Sequence, residues 1–114
     1  MKIVKSADVR KSPVEMEGAK DVEIRWLIAR DDGAENYAMR MFELGPGGCT
    51  PLHTHPQEHE VFVLEGKGVL VFEGAEHEFG PEHVIFVPPN REHRFRNSGD
   101  SVLRFLCIVP ISQG

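Results

Sequence analysis

The sequence has few of the residues and segments that define several common protein classes. It contains two cysteines, one tryptophan and one tyrosine in 114 residues, so it does not have the dense cysteine framework of small disulfide-stapled domains. No run of 18 or more apolar residues occurs, which excludes a helix apolar enough to span a membrane. Residues Met1 to Arg10 carry charges and no apolar signal core. We therefore expect a soluble, cytoplasmic protein with no membrane partner.

The chain also has no excess of positive charge. Its net charge is −5, and its Lys and Arg residues are scattered, whereas nucleic-acid-binding proteins usually carry a basic stripe. We therefore expect no nucleic-acid partner. Hydrophobic residues make up 40% of the chain, which is enough for one core. Residues 1–114 are expected to form a single domain with its core at about 37–110. Strands in residues 1–36 would pack on that core or on a partner subunit.

The chain does contain many short β-branched and aromatic runs, separated by 11 glycines and 8 prolines. No stretch shows sustained helical periodicity, and short strands at regular spacing predict an all-β sandwich or barrel. The segments Glu65–Gly68 and Glu73–Glu76 are predicted to be hairpin turns. The predicted strands are Val22–Ile28, Tyr37–Leu44, His59–Leu64, Val69–Phe72, Val84–Val87, His93–Asn97 and Val102–Val109.

Several predicted strands are apolar at every position, as in the segment Val61-Phe62-Val63-Leu64. Successive side chains of a strand point to opposite faces of the sheet, so both faces of such a strand should be covered. One face can line the barrel interior, and the other must meet a second layer or another subunit. This pattern predicts a homodimer.

Four histidines have a spacing that suits a metal site. His53 and His55 are two residues apart, so on a strand they point to the same face. His59 opens the next apolar run, and a hairpin turn before it would return it beside that pair. His93 begins a further strand after the turn-like segment Pro88–Asn90. Four imidazoles from three strands could then surround one divalent metal ion inside the barrel.

The residues around the first three histidines resemble a motif of the cupin superfamily. This motif reads G-x5-H-x-H-x3-4-E-x6-G, and Gly47, His53, His55 and Gly66 occur at matching spacing. His59 stands where the motif has glutamate, three residues after His55.

A second segment resembles the other cupin motif, which reads G-x5-P-x-G-x2-H-x3-N. Pro88, His93 and Asn97 match it, and Asn90 replaces the second glycine. This is a mild change, because both residues tolerate the left-handed backbone conformation. Glu82 stands where the motif opens with glycine. The resemblance implies a single-domain double-stranded β-helix, the jelly-roll barrel of the cupins.

The departure at His59 leaves a choice of ligand. His59 keeps the six-residue spacing to the closing glycine of the motif, whereas Glu60 would use the longer first gap and break that spacing. The sequence is similar to small cupins that hold their metal with four histidines. The resemblance therefore implies one Mn, Fe, Ni or Zn ion bound by His53, His55, His59 and His93. Four neutral ligands would leave the site at +2 and favour an anionic substrate.

Strand alternation predicts which side chains surround this site. An inward histidine at the start of its strand would place Phe95 in the substrate pocket. In the last strand, the side chains of Phe105 and Cys107 point to the other face from Arg104. Arg104 should face water, so Phe105 and Cys107 are predicted to be inside. Cys107 would then be a candidate catalytic residue, although a core thiol is the commoner state. Arg40 could lie on either face, and inside it would be a catalytic candidate that binds an anionic substrate.

The resemblance implies a reaction family rather than one reaction, because cupins include dioxygenases, decarboxylases, isomerases and sugar-acid lyases or mutases. An octahedral metal with four protein ligands keeps two positions for a substrate with two oxygens, or for one oxygen and O₂. We therefore predict a metal-dependent enzyme acting on a small organic substrate, with oxygen-dependent, dioxygenase-type chemistry favoured. The alternatives are a module that binds a sugar or small ligand without catalysis, a sugar-acid isomerase, lyase or decarboxylase, and a structural zinc site.

Overall fold

The computed structural model describes residues 1–111, and its regular structure is almost entirely β-strand. The two helical elements in this range are short 3-10 turns, Ser6–Asp8 and Arg30–Asp32, and no helix there is long and apolar enough to cross a bilayer. The strands are β1 (Lys11–Pro13), β2 (Lys20–Ile28), β3 (Tyr37–Cys49), β4 (His59–Glu65), β5 (Gly68–Phe72), β6 (Ala75–Phe79), β7 (Val84–Val87), β8 (His93–Asn97) and β9 (Leu103–Pro110).

These strands form one curled antiparallel sheet in the order β6-β5-β8-β3-β9-β4-β7, with β2 paired to β3 and β1 to β2. Strand β3 spans 13 residues and links the two halves of the barrel. Its first part pairs with β9 from Tyr37↔Pro110 to Leu44↔Leu103, and its last residue, Cys49, pairs with Arg96 of β8. The all-β jelly-roll barrel expected from the sequence is confirmed.

The predicted hairpin at Glu65–Gly68 is wrong. Strand β4 pairs with β7 and β9, whereas β5 pairs with β6 and β8, so the chain crosses here between the two halves of the barrel. Gly66 has φ +90°, and a Cβ atom on it would clash with the carbonyl oxygen of Val102. This motif glycine therefore allows a close crossing rather than a tight hairpin. The turn at Glu73–Glu76 does join two paired strands, β5 and β6.

The core fills one end of the barrel and leaves the other end open. Leu44 and Leu103 are register partners with fully buried side chains, and Val63 beside them is also fully buried. Asn97 closes this end, because its side-chain amide donates to the carbonyl oxygens of Leu44 and Ser101 at 2.9 and 2.8 Å. The motif asparagine thus has a structural role. The histidines lie on the inner face at the other, open end of the barrel.

Candidate metal centre

The histidines come from three separate parts of the barrel. His53 forms an isolated bridge with His93, the first residue of β8, through backbone hydrogen bonds of 3.1 and 3.3 Å. His55 lies two residues further along, and its carbonyl oxygen accepts a hydrogen bond from the backbone N–H of Asn90 at 2.8 Å. His59 begins β4, which pairs with β7 and β9. The expected hairpin between His55 and His59 is therefore not formed, and the curl of the sheet brings them together instead.

The four imidazoles lie side by side at the open end of the barrel. The ring centroids of His55 and His59 are 4.4 Å apart, those of His53 and His55 are 4.8 Å apart, and both His53 and His59 lie 5.3 Å from His93. One ring nitrogen from each of His53, His55 and His93 falls within 4.8 Å of the others, so these three form a possible metal-binding group. The fourth ring contacts this group through Nε2 of His59, which is 2.7 Å from Nε2 of His55.

Burial keeps three of these imidazoles, those of His53, His55 and His59, neutral at neutral pH. It lowers the pKa of His53 and His55, and it lowers the pKa of His59 to about 3. The positive charge of Arg40 acts in the same direction at all three rings. Neutral imidazole is the form that binds a metal ion, so the cluster offers lone pairs rather than charges.

The ring nitrogens also fit a transition metal ion. Nδ1 of His93 lies 2.8 Å from the carbonyl oxygen of Arg91 and donates its proton there, which leaves the lone pair of Nε2 for a metal. Nδ1 of His53 and Nδ1 of His55 are buried without a hydrogen-bond partner among the described residues. Buried polar atoms without partners are uncommon. A set of imidazole donors suits Zn, Mn, Fe or Ni better than Ca or Mg.

Arg40 enters the same cavity from β3. Its Nη2 lies 3.2 Å from Nδ1 of His59 and 3.1 Å from Sγ of Cys107. A guanidinium group only donates hydrogen bonds, so Nδ1 of His59 accepts here and the neutral ring carries its proton on Nε2. That proton is donated to His55 across the 2.7 Å contact. In this arrangement His59 is hydrogen-bonded to His55 and stands beside the group of three histidines.

The candidate alternative to His59 lies elsewhere. Glu60 pairs in register with Phe86 of β7 and Ile108 of β9 and is exposed on the outer face of the sheet. Because neighbouring strand residues point to opposite faces, Glu60 points away from the histidine cluster while His59 points into it.

A cavity of about 770 Å³ opens above the histidines, and its walls are mostly apolar. Phe95 and Phe105 line it with ring centroids 4.8 Å apart, and the ring of Phe42 lies 5.4 Å from that of Phe105. Cys107, buried beside them, also lines the wall. A cavity of this size can enclose a ligand of several fused rings.

Part of the cavity wall was missed by the sequence reasoning. Trp26 on β2 lines the cavity, and so do Val14 and Met16 from the segment before β2. These residues precede both motifs, so motif matching could not find them. The inward alternation Val22, Ile24, Trp26 was the available signal, but its use requires knowing that β2 pairs with β3.

Comparisons with known proteins support this description. A family model for the cupin domain, Cupin_2, matches residues 40–109. The structure of the polyketide cyclase RemF from Streptomyces resistomycificus superposes with a TM-score of 0.93 and 39% identity, covering 98% of this chain and 80% of that one.

Two curated relatives share shorter regions. The 1-methylthio-D-xylulose 5-phosphate methylsulfurylase of Rhodospirillum rubrum is 37% identical over 71 residues, which are 62% of this chain and 46% of the relative. The polyketide synthase CurC of Streptomyces cyaneus is 31% identical over 75 residues, covering 65% of this chain and 49% of that protein. The chain spans about half the length of these relatives. On the family match, the two motifs and the barrel, the chain belongs to the cupin domain family.

Proposed function

We propose that this protein is a metal-dependent enzyme that cyclises a polyketide-type substrate, a long molecule with several carbonyl groups and a largely apolar body. The observation that carries the proposal is the apolar cavity that ends on a cluster of imidazoles. The 39% identity to a polyketide cyclase over nearly the whole chain supports the substrate class. Cyclisation by carbon–carbon bond formation and loss of water needs no oxidant, so it replaces the dioxygenase-type chemistry favoured by the sequence.

In this proposal His53, His55 and His93 hold one Zn, Mn, Fe or Ni ion, and His59 is the fourth ligand. When bound, the ion would supply a Lewis acid for a carbonyl oxygen of the substrate. His59 can join the set when its proton moves from Nε2 to Nδ1. Nδ1 would then give up the hydrogen bond that it accepts from Nη2 of Arg40 and would donate to Sγ of Cys107, 3.2 Å away, which would fix the orientation of the ring.

Cys107 acts in this scheme as a neutral positioning residue. Burial raises the pKa of its thiol, so the sulfur stays protonated at neutral pH and is a poor nucleophile. Its contribution to catalysis would come through the orientation of His59 rather than through attack on the substrate.

The aromatic wall has two tasks in the proposed reaction. Phe42, Phe95 and Phe105 form a continuous stack beside the histidines. A flexible chain pressed against these rings can be held in a folded shape, which brings its two reacting carbons together. The same rings exclude water from the reacting centre.

A linear triketone that ends in a phenyl ring tests the proposal. The terminal methyl carbon bonds to the carbonyl carbon beside the phenyl ring, the oxygen of that carbonyl leaves as water, and enolisation gives phenylresorcinol. We expect the metal-loaded protein to form this product, detected by mass spectrometry, without oxygen uptake. The His93→Ala variant should lose the activity. Absence of ring product with metal-loaded protein, or consumption of O₂ in step with product, would overturn the proposal.

We also propose that the protein is a homodimer that pairs through the outer face of β4, β7 and β9. Phe62 lies opposite Val84 and Leu106 in the sheet register, and Phe86 is next to this group. Val84 and Phe86 are 75% and 58% exposed. A contiguous apolar patch of this kind is typical of an interaction surface.

Light scattering on the purified protein tests the dimer. The Phe62→Asp variant should be a monomer at micromolar concentration, since it places a charge at the centre of the patch. A His77→Asp control on the exposed strand β6 should leave the dimer intact. A monomeric unsubstituted protein would rule this assembly out.

A further inference from the structure

Arg40 is a cation whose described hydrogen-bond partners are not carboxylates, although Glu15 lines the same cavity. None of the ion pairs among residues 1–111 includes it. Nη2 contacts His59 and Cys107, and both side chains are neutral at neutral pH. Nε is buried without a hydrogen-bond partner. Both described hydrogen bonds of the guanidinium group come from Nη2, and Arg40 lines the cavity, so the group has donors left for a ligand.

Two aromatic rings hold this guanidinium in place. Its central carbon lies 5.0 Å from the ring centroid of Phe42 and 5.6 Å from that of Trp26. Cation–π contacts of this kind stabilise the charge without neutralising it. The rings also limit the side chain to a few positions, so little conformational freedom would be lost when a ligand binds.

The position of this charge next to the histidines is costly unless a ligand offsets it. A partly buried cation without a counter-ion lowers stability, and His59 beside it is uncharged. A divalent metal on those histidines would add to the positive potential. An anion that enters the cavity would meet attraction from both sources.

We propose that Arg40 binds a carboxylate group of the ligand, with the aromatic part of the ligand lying along Trp26 and Phe42. The preferred ligands of this cavity are therefore aromatic or polyketide-type molecules that carry a carboxylate, which binds in addition to the contacts available to a neutral ketone. A carboxylate accepts two parallel hydrogen bonds from a guanidinium group, which a neutral amide of the same shape cannot reproduce. This inference rests on the proposed function only in placing the ligand in the cavity.

Cinnamate and cinnamamide make a suitable pair of probes, because they share a ring and chain and differ in charge. Trp26 is the single tryptophan of the chain, so its fluorescence reports binding beside Arg40, and calorimetry gives the affinities. In the metal-loaded protein we expect cinnamate to bind more tightly than cinnamamide and to quench Trp26. In the Arg40→Met variant the preference for cinnamate should fall by about 10- to 100-fold.

The ratio of the two affinities isolates Arg40. Attraction of the carboxylate by the metal is present in both proteins and cancels when their ratios are compared. Arg40→Lys keeps the charge without the planar fork and should restore part of the preference. Arg96→Met removes an arginine that is paired with Glu76 outside the cavity and should leave the preference unchanged. Metal content and circular dichroism are measured for each variant.

The proposal is overturned by an unchanged preference in Arg40→Met, or by cinnamate binding that does not quench Trp26. If Arg40→Met does not fold, the same comparison is made with Arg40→Lys, where an undiminished preference would also overturn it. The outcome is separate from that of the triketone assay. Failure to cyclise the triketone, together with a preference for cinnamate that is lost in Arg40→Met, would reject the cyclase and retain the anion site.

Discussion

The two faces of strand β3 differ in whether their arginines have a carboxylate partner. On the outer face, the carboxylate of Glu43 accepts hydrogen bonds from Nε of Arg25 at 3.1 Å and from Nη2 of Arg104 at 3.4 Å. The side chain of Glu43 is only 10% exposed. On the inner face, three residues away, Arg40 has neutral neighbours and aromatic rings. The outer charges neutralise one another and join three strands. The inner charge is left for something that is not part of the described protein, and this difference separates a structural cluster from a binding site.

The largest expected effect concerns the histidines of the inner face. His53→Ala or His93→Ala removes a ligand of the proposed metal. Changing a residue that only hydrogen-bonds to a metal ligand already lowers metal affinity by about 10- to 100-fold, so loss of the ligand itself should lower it by at least about 100-fold. Elemental analysis of protein purified without a histidine tag measures this. His77→Ala, on the exposed strand β6, should retain full metal content. Equal metal in all three variants would show that the cluster is not a metal site.

The two faces should also lose stability in different pH ranges when a chelator is present. The pKa of His59 is about 3 in the folded protein against 6.5 as its ordinary value. The unfolded state therefore takes up the proton first, and stability falls as the pH decreases from 6.5 towards 3. By pH 5 the loss from this residue should reach about 2 kcal/mol. Urea unfolding across a pH series measures it, and His59→Gln should flatten the curve in this range.

The outer face should respond only at lower pH. Burial would raise the pKa of Glu43, but the hydrogen bond from Arg25 and the charges of Lys11, Arg104 and Arg25 outweigh burial and hold it below 4.5. Its stabilising effect is complete above pH 4.5 and is lost as the pH falls through the lowered pKa. The Glu43→Gln variant should flatten the stability curve there and leave the range of His59 unaffected. A shared pH range for both variants would contradict the separation of the two faces.

The smallest effect expected is a contrast between two arginine variants. Arg25→Met leaves the carboxylate of Glu43 with one partner and removes the hydrogen bonds to the carbonyl oxygens of Ala7 and Val9, so stability should fall by about 1–2 kcal/mol. Arg40→Met removes a charge without a counter-ion and should cost less than Arg25→Met, or raise the stability. Thermal unfolding of the metal-loaded proteins compares them. A larger loss for Arg40→Met would mean that its contacts to His59 and Cys107 are structural.

The sequence predicted the parts of the site that depend on spacing and alternation. The cupin motifs brought out His53, His55 and His93, and the position of the arginine in β9 indicated that Phe105 and Cys107 face inward, where the structure buries both. Such inferences work because two residues of one strand have a fixed relation, whatever the strand pairs with.

Features that depend on pairing between distant strands could not be predicted in this way. The crossing at Glu65–Gly68 has the composition of a hairpin turn, and only the partners of β4 and β5 show that it is not one. The sequence did not show whether the face of β3 that carries Arg40 points inward, because both faces of that strand mix apolar and polar residues. Trp26 of β2 is the register partner of Arg40 in β3. No local sequence pattern predicts the register of two strands that are distant in the sequence.

The origin of Trp26 in β2 has a consequence for how cupins of this kind can diversify. The family model matches residues 40–109, which contain the histidines but not β2. Exchange of the N-terminal strands could therefore change which molecules enter the barrel while the reacting centre stays the same. A chimaera that joins these strands to the barrel of another cupin would transfer ligand preference without transferring the chemistry.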